Sequence, residues 1–182
     1  DWIKPLLDSG ADGIVAPMVN SKNQSEAILE LLKFSPEGKR SFGVNRAHGY
    51  GSNFGSYVAN WNASSIYIAQ IETKESVANI TEILSSPNLD GVMIGPYDMS
   101  GSLGVPGETT HPLVQEAEKT VIAACKSAGK SCGTQLADFS DDNIKNAIAK
   151  GYTFIIASSD LFVLNSWAED AEKLVKKYSN AQ

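Results

Sequence analysis

The chain has 182 residues, of which 42% are hydrophobic and 20% charged, enough for one domain with a sizeable core and ordinary for a globular protein. A formal net charge of −6 and a pI of about 4.9, with no cluster of Lys or Arg, argue against a nucleic-acid partner. No apolar run nears the ~18 residues of a membrane span, no secretory leader is recognisable, and Cys125 and Cys132 are too few for a disulfide framework. The expectation is a cytoplasmic protein whose two cysteines are buried free thiols.

Trp2 to Gly10 reads as the last turns of a helix with Gly10 at its C-terminal cap. Asp12 to Val19 is an apolar, strand-like run. Ser21 to Phe34 carries Ala27, Ile28, Leu31 and Leu32 at helical spacing, opened by Asn20 or Ser21. A long Gly-rich and basic loop, Ser35 to Phe54, precedes a short helix near Gly55 to Trp61. Ser65 to Glu72 is a strand, Lys74 to Ser85 a helix, and Asp90 to Asp98 a second strand-like run that ends in Gly95-Pro96-Tyr97-Asp98. A Gly-rich loop, Gly101 to Thr110, leads into a helix that begins at Thr110-His-Pro112, where Pro fits the first turn, and ends before Gly129. Ser131 to Ala137 is a strand, Asp141 to Lys150 a helix, Tyr152 to Ser158 a strand, and Leu161 to about Tyr178 the final helix. Its charged residues form a solvated face, with Glu172 and Lys176 spaced for an i,i+4 pair.

Five strands, each followed by a helix and with no linker composition between them, predict one α/β domain over 1–182 built on a parallel sheet. An open doubly wound sheet and a (β/α)8 TIM barrel both fit the alternation. No Gly-x-Gly-x-x-Gly loop follows a strand, which weakens a dinucleotide fold, and acidic residues at strand ends favour the barrel. A barrel needs eight strands, so these would be its last five βα units, with three more strands expected upstream.

Glu72 and Asp98 stand at the carboxyl ends of two strands joined by one helix, so a parallel pairing brings both to the same edge. Two carboxylates there suit a divalent cation, Mg²⁺ first, with Mn²⁺ or Co²⁺ also fitting. Glu72 could instead serve the start of the helix ahead of Lys74, and Asp98 alone could be a turn or cap residue. Gln70 shares the face of Ile66, Ile68 and Glu72 and is polar in an apolar strand. The turn Gly95, Pro96, Tyr97 and Asp98 can aim the N–H groups of Tyr97 and Asp98 at a carboxylate, or be a simple tight turn. Gln135 lies on one face with the small residues Gly133 and Ala137, either lining a substrate cavity or as a buried amide bonded to backbone. Arg46 and His48 fall in the long loop, where a His is expected to be solvent-exposed.

Val15-Ala-Pro-Met-Val19, Gln70-Ile-Glu-Thr73 and Gly91-Val-Met-Ile-Gly-Pro-Tyr-Asp-Met-Ser100, with the following Leu-Gly and His-Pro, resemble the HpcH/HpaI aldolase family. The resemblance implies a (β/α)8 barrel and a metal-dependent aldolase that forms pyruvate from 4-hydroxy-2-oxo acids or 2-keto-3-deoxy sugar acids. It also implies a homo-oligomer, commonly a hexamer. Glu72 and Asp98 resemble the family's metal ligands, Gln70 its active-site glutamine, and the turn from Gly95 to Asp98 its carboxylate-binding backbone. The position of Gln135, near the distal part of the substrate, is often apolar in relatives. The family's proton-handling His/Asp pair and carbonyl-polarising Arg lie on strands with no counterpart here. A citrate-lyase-like or malyl-CoA-type lyase is the alternative enzyme, and a non-catalytic barrel fragment binding metal or oxo acid the alternative outside catalysis.

Overall fold

Tyr67, Ala69 and Ile71 alternate with Ile66, Ile68 and Gln70, and the first three are completely buried. That alternation sets the architecture: one face of every strand is sealed by helices, and the other faces inward. The computed structural model describes residues 2–179. The single-domain expectation over 1–182 also takes in residue 1 and residues 180–182, which lie outside them.

The strands are β1 Gly13–Ala16, β2 Ile66–Ile71, β3 Gly91–Ile94, β4 Ser131–Leu136 and β5 Phe154–Ala157. They pair in parallel in sequence order, β1-β2-β3-β4-β5, in a curled half-barrel sheet. The register sets Ile71 beside Ile94 and Gln70 beside Met93. The helices are α1 Ile3–Asp8, α2 Lys22–Leu32, α3 Phe54–Ser64, α4 Lys74–Ala78, α5 Ile80–Leu84, α6 Pro96–Ser102, α7 Pro112–Ala128, α8 Asp141–Lys150 and α9 Asp160–Ser179. The core lies between the sheet and α2, α5 and α7, around Leu29, Leu32, Ile83, Val114 and Val121. The inward face is uncovered at its β1 side, where Val15 is 43% and Ile66 51% exposed.

The helix expected from Lys74 to Ser85 is two helices broken at Asn79, whose side-chain amide donates to the Asn20 carbonyl at 2.8 Å. A local helical turn gives way there to a contact far away in sequence. Gly95 to Asp98 is not a free turn: Pro96 takes the first position of α6, and Asp98 lies in its first turn. The space beside Gly133 is not open either. A Cβ on Gly133 would lie 2.1 Å from the Phe154 ring, so the missing side chain is replaced by an aromatic from β5. Gly133→Ala is therefore expected to lower unfolding free energy by about 1–3 kcal/mol in denaturant titration. Trimming Phe154 to Leu in the same chain should return part of that loss.

The long loop is anchored by Arg40. Its buried guanidinium stacks over Phe34 and Trp61, 4.6 and 4.4 Å from the ring centres, and pairs with Asp8 at 3.0 Å. His48, expected at the surface, is 2% exposed. Its Nδ1 accepts from the Gly51 N–H at 3.0 Å, and its Nε2 lies 2.7 Å from the Gly43 carbonyl and 3.2 Å from the Asn45 N. This ring holds the loop together.

On α9, Lys176 and Glu172 pair at 2.6 Å as their spacing requires. None of the helix's residues is buried, and even Trp167 is 71% exposed. Cys125 and Cys132 are buried free thiols.

Candidate active site

The carboxyl edge of β2 and β3 is held by side chains on both flanks. Thr73, just past Glu72, caps α4: its hydroxyl accepts from the Ser76 N–H at 3.0 Å and donates to Asn20 at 2.5 Å. The α6 helix is tied back by Ser102, whose hydroxyl accepts from the Lys74 N–H at 2.8 Å. These contacts fix the backbone at Glu72 and at Gly95 to Asp98.

Glu72 does not serve the helix that follows it. Its side chain turns inward and is 2% exposed. Oε1 accepts from the Met18 N–H at 2.8 Å, and Oε2 from Gln70 Nε2 at 2.5 Å. A buried carboxylate is costly unless hydrogen-bonded, and each oxygen here has one donor with lone-pair capacity left over. Met18 reaches it through an unusual backbone: its φ is 57°, in the left-handed region that non-glycine residues rarely adopt. Such a conformation persists only where the surroundings hold it. Residue 19 then runs along β2, its N–H donating to the Gln70 carbonyl at 3.3 Å.

Gly95 completes the arrangement. A Cβ there would stand 2.6 Å from Glu72 Oε2 and 3.0 Å from Gln70 Nε2. The pair occupies the volume that a side chain at 95 would fill. The Asp98 carboxylate has no hydrogen-bond or ion-pair partner among the described residues, and neither do the Tyr97 and Asp98 N–H groups at the start of α6.

Gln70, Gly95, Pro96, Tyr97, Asp98 and Gln135 line one cavity of about 160 Å³, and Glu72, not itself in the lining, is bonded to Gln70. Gln135 is exposed to this space, and its Nε2 donates to the Ser158 carbonyl at 3.3 Å. One N–H and the carbonyl oxygen of that amide remain unbonded. Sequence reasoning marked Ala137 as a small neighbour of Gln135 but did not find Met18 or Phe162. Met18 acts through its backbone, while Ala137 and Phe162 complete the cavity wall. Pro17-Met18 directly after a strand was the available signal for Met18. Nothing in the spacing marked Phe162, the third residue of α9. His48 is not among the residues lining this cavity.

Among the described residues, no group of three or more His, Cys, Asp or Glu comes together. A cation held here would rest on the two carboxylates, with other positions left to water and substrate oxygens. That donor set suits a hard ion such as Mg²⁺ and not the nitrogen- and sulfur-rich sites of zinc. The buried, oriented Glu72 and the unpaired Asp98 therefore fit such an ion.

A parallel α/β half-barrel with Glu72 and Asp98 just beyond the carboxyl ends of neighbouring strands defines a class, that of partial TIM-barrel-like α/β folds. Residues 1–166 match the HpcH/HpaI aldolase/citrate lyase family, and the chain belongs to it. It is 38% identical over 174 residues to a hydroxypyruvate/pyruvate aldolase of Rhizorhabdus wittichii, covering 91% of this chain and 65% of that one. It is 32% identical over 180 residues to a 2-keto-3-deoxy-L-rhamnonate aldolase of Escherichia coli, covering 98% and 66%. The crystal structure of an HpcH/HpaI aldolase from Desulfitobacterium hafniense superposes with a TM-score of 0.86 at 30% identity, covering 96% of this chain and 67% of that chain. The chain thus spans about two thirds of the length of the curated relatives it matches.

Proposed function

We propose that this chain is the site-bearing part of a metal-dependent aldolase that cleaves a 4-hydroxy-2-oxo acid or 2-keto-3-deoxy sugar acid to pyruvate and an aldehyde. The observation that carries this reading is the buried Glu72 carboxylate at the end of β2, held by Met18 and Gln70, with Gln70 and the partnerless Asp98 lining one cavity, in a chain of this family. Glu72 and Asp98 would hold the divalent cation, Mg²⁺ first. Bound there, it would supply a Lewis acid for the enolate of pyruvate. Gln70 keeps Glu72 oriented, and the free N–H groups of Tyr97 and Asp98 can receive the substrate carboxylate. In the cleavage the 4-hydroxyl loses its proton and the C3–C4 bond breaks. Its electron pair passes to C3, which is then protonated to the methyl of pyruvate. The residues lining the cavity include no His or Lys. The exposed apolar residues of α9, Leu164, Trp167, Leu174 and Tyr178 among them, support self-association into an oligomer. No helix of the described residues is long and apolar enough to cross a membrane.

The test is pyruvate release from 4-hydroxy-2-oxopentanoate and from a 2-keto-3-deoxyhexonate, each with Mg²⁺ and after chelation. Metal-dependent release is expected, and none under any divalent ion would reject the reading. The free amide valences of Gln135 face the aldehyde half of such a substrate. Gln135→Leu is expected to shift the ratio of specificity constants toward a deoxy-aldehyde, over its hydroxyaldehyde parent, by roughly ten-fold in aldol addition of pyruvate. An unchanged ratio removes Gln135 from the substrate site.

A further inference from the structure

Three consecutive residues after β1 are pinned to the carboxyl end of β2, and the first of them bonds Glu72. Met18 N–H donates to Glu72 Oε1 at 2.8 Å, Val19 N–H to the Gln70 carbonyl at 3.3 Å, and Asn20 Oδ1 accepts from the Thr73 hydroxyl at 2.5 Å. Met18 does not hold this geometry by itself. Its φ of 57° is strained for a residue with a Cβ, and its side chain, 52% exposed, is not locked into the core. The restraint comes from its flank. Val19 is buried, and Asn20 is bonded at three points. Besides the contact with Thr73, its carbonyl accepts from Asn79 Nδ2 at 2.8 Å, and its N–H donates to Gln24 Oε1 at 2.7 Å.

Asn79 leaves an ordinary role for this contact. It stands between α4 and α5, at the N-cap of α5, where an Asn side chain commonly accepts from the first turn. Its side chain makes no such bond, and its amide goes instead to the carbonyl of residue 20. Thr73 is shared in the same way: its hydroxyl accepts from the Ser76 N–H of α4 while donating to Asn20. Asn20, Thr73 and Asn79 do not line the cavity that holds Gln70 and Asp98. A broken helix and a diverted cap both carry a local cost. What they have in common is the placement of residue 20, two positions from the N–H that holds Glu72.

We propose that Asn20, Thr73 and Asn79 form a clasp of positioning residues that keeps Met18 in its left-handed conformation, and that this clasp sets the affinity of Glu72 for the divalent ion. The proposal rests on the reading of Glu72 as a metal ligand given above. With the clasp intact, the Met18 N–H fixes the Glu72 carboxylate and leaves its remaining lone pairs for the ion. With the clasp broken, Met18 relaxes to an ordinary φ, its N–H leaves Oε1, and the carboxylate has to be ordered again each time it receives the ion.

The experiment measures Mn²⁺ binding to the metal-free full chain by electron paramagnetic resonance, below the lowest melting temperature of the set. The site read is the one that Glu72→Gln abolishes. Asn79→Ala and Asn20→Ala are each expected to weaken Mn²⁺ binding there roughly 10-fold, the low end of the cost of removing a ligand's support. Thr73→Ser keeps the hydroxyl with both its bonds, so its affinity should stay near that of the wild type. Trp61→Phe is the structural control: it removes a buried hydrogen bond, 2.8 Å to the Leu32 carbonyl, outside the clasp. It should lower the melting temperature and leave the Mn²⁺ affinity where it was. Raising Mg²⁺ should return the kcat for pyruvate release in Asn79→Ala toward the wild-type value. Asn79→Ala and Asn20→Ala chains that bind Mn²⁺ as the wild type does would overturn the clasp and leave Glu72 as a ligand. An equal loss of affinity in Trp61→Phe would also overturn it, because affinity would then follow stability alone. A wild-type chain with no Mn²⁺ site sensitive to Glu72→Gln would overturn both readings.

Discussion

Glu72→Gln is expected to abolish metal-dependent pyruvate release, by ~10³-fold or more, equivalent to ~4 kcal/mol of transition-state stabilisation. The amide keeps the shape of the side chain but loses the charge that would hold a divalent ion. The surroundings of Glu72 add a second consequence. Both carboxylate oxygens accept a hydrogen bond, from Met18 N–H and from Gln70 Nε2. A glutamine has one acceptor oxygen, so its NH₂ must face one of those donors. The variant should therefore fold but unfold at lower denaturant, with a loss of about 1–3 kcal/mol. Pyruvate release within ten-fold of the wild type would show that Glu72 holds no essential ion.

Gly95→Ala should cost activity for a different reason. The added Cβ would press within 2.6 Å of Glu72 Oε2 and 3.0 Å of Gln70 Nε2, neither of which can retreat without breaking its hydrogen bond. The pair must shift by a fraction of an ångström to an ångström, and displacements of that size cost roughly 10²-fold in rate. The apparent affinity for Mg²⁺ should fall as kcat falls, because the same carboxylate moves. A Gly95→Ala chain with unchanged metal affinity and kcat would mean that the packing of Gln70 and Glu72 on Gly95 has no role in the chemistry.

The alternation of strands and helices was legible because most of the strands are largely apolar and several helices announce their start. Ser21 caps α2, Thr73 caps α4, and His111-Pro112 opens α7. The edge carrying Glu72 and Asp98 followed from that alternation, because parallel strands present their carboxyl ends together. Features that depend on distant partners were not legible. The break at Asn79 answers a carbonyl at Asn20. The start of α6 at Pro96 was hidden by a Gly-Pro pair that also writes a turn, and by Gly101 inside the helix. The role of Met18 lies in a backbone angle and one N–H, which no side-chain pattern encodes. The burial of His48 comes from three loop backbone groups closing around its ring and from the edge-on packing of Phe54. Gly133 and Ala137 looked alike as small residues in one strand, yet Phe154 fills the space beside the first and the cavity opens beside the second.

The central claim is that Glu72 and Asp98 together hold the ion that receives pyruvate. A crystal structure grown with Mg²⁺ and pyruvate tests it most directly. The expected result is one octahedral cation with an oxygen of Glu72 and an oxygen of Asp98 at ~2.0–2.1 Å, and with pyruvate and water completing the shell. A cation bound elsewhere, or pyruvate seated with no ion between these two carboxylates, would contradict it.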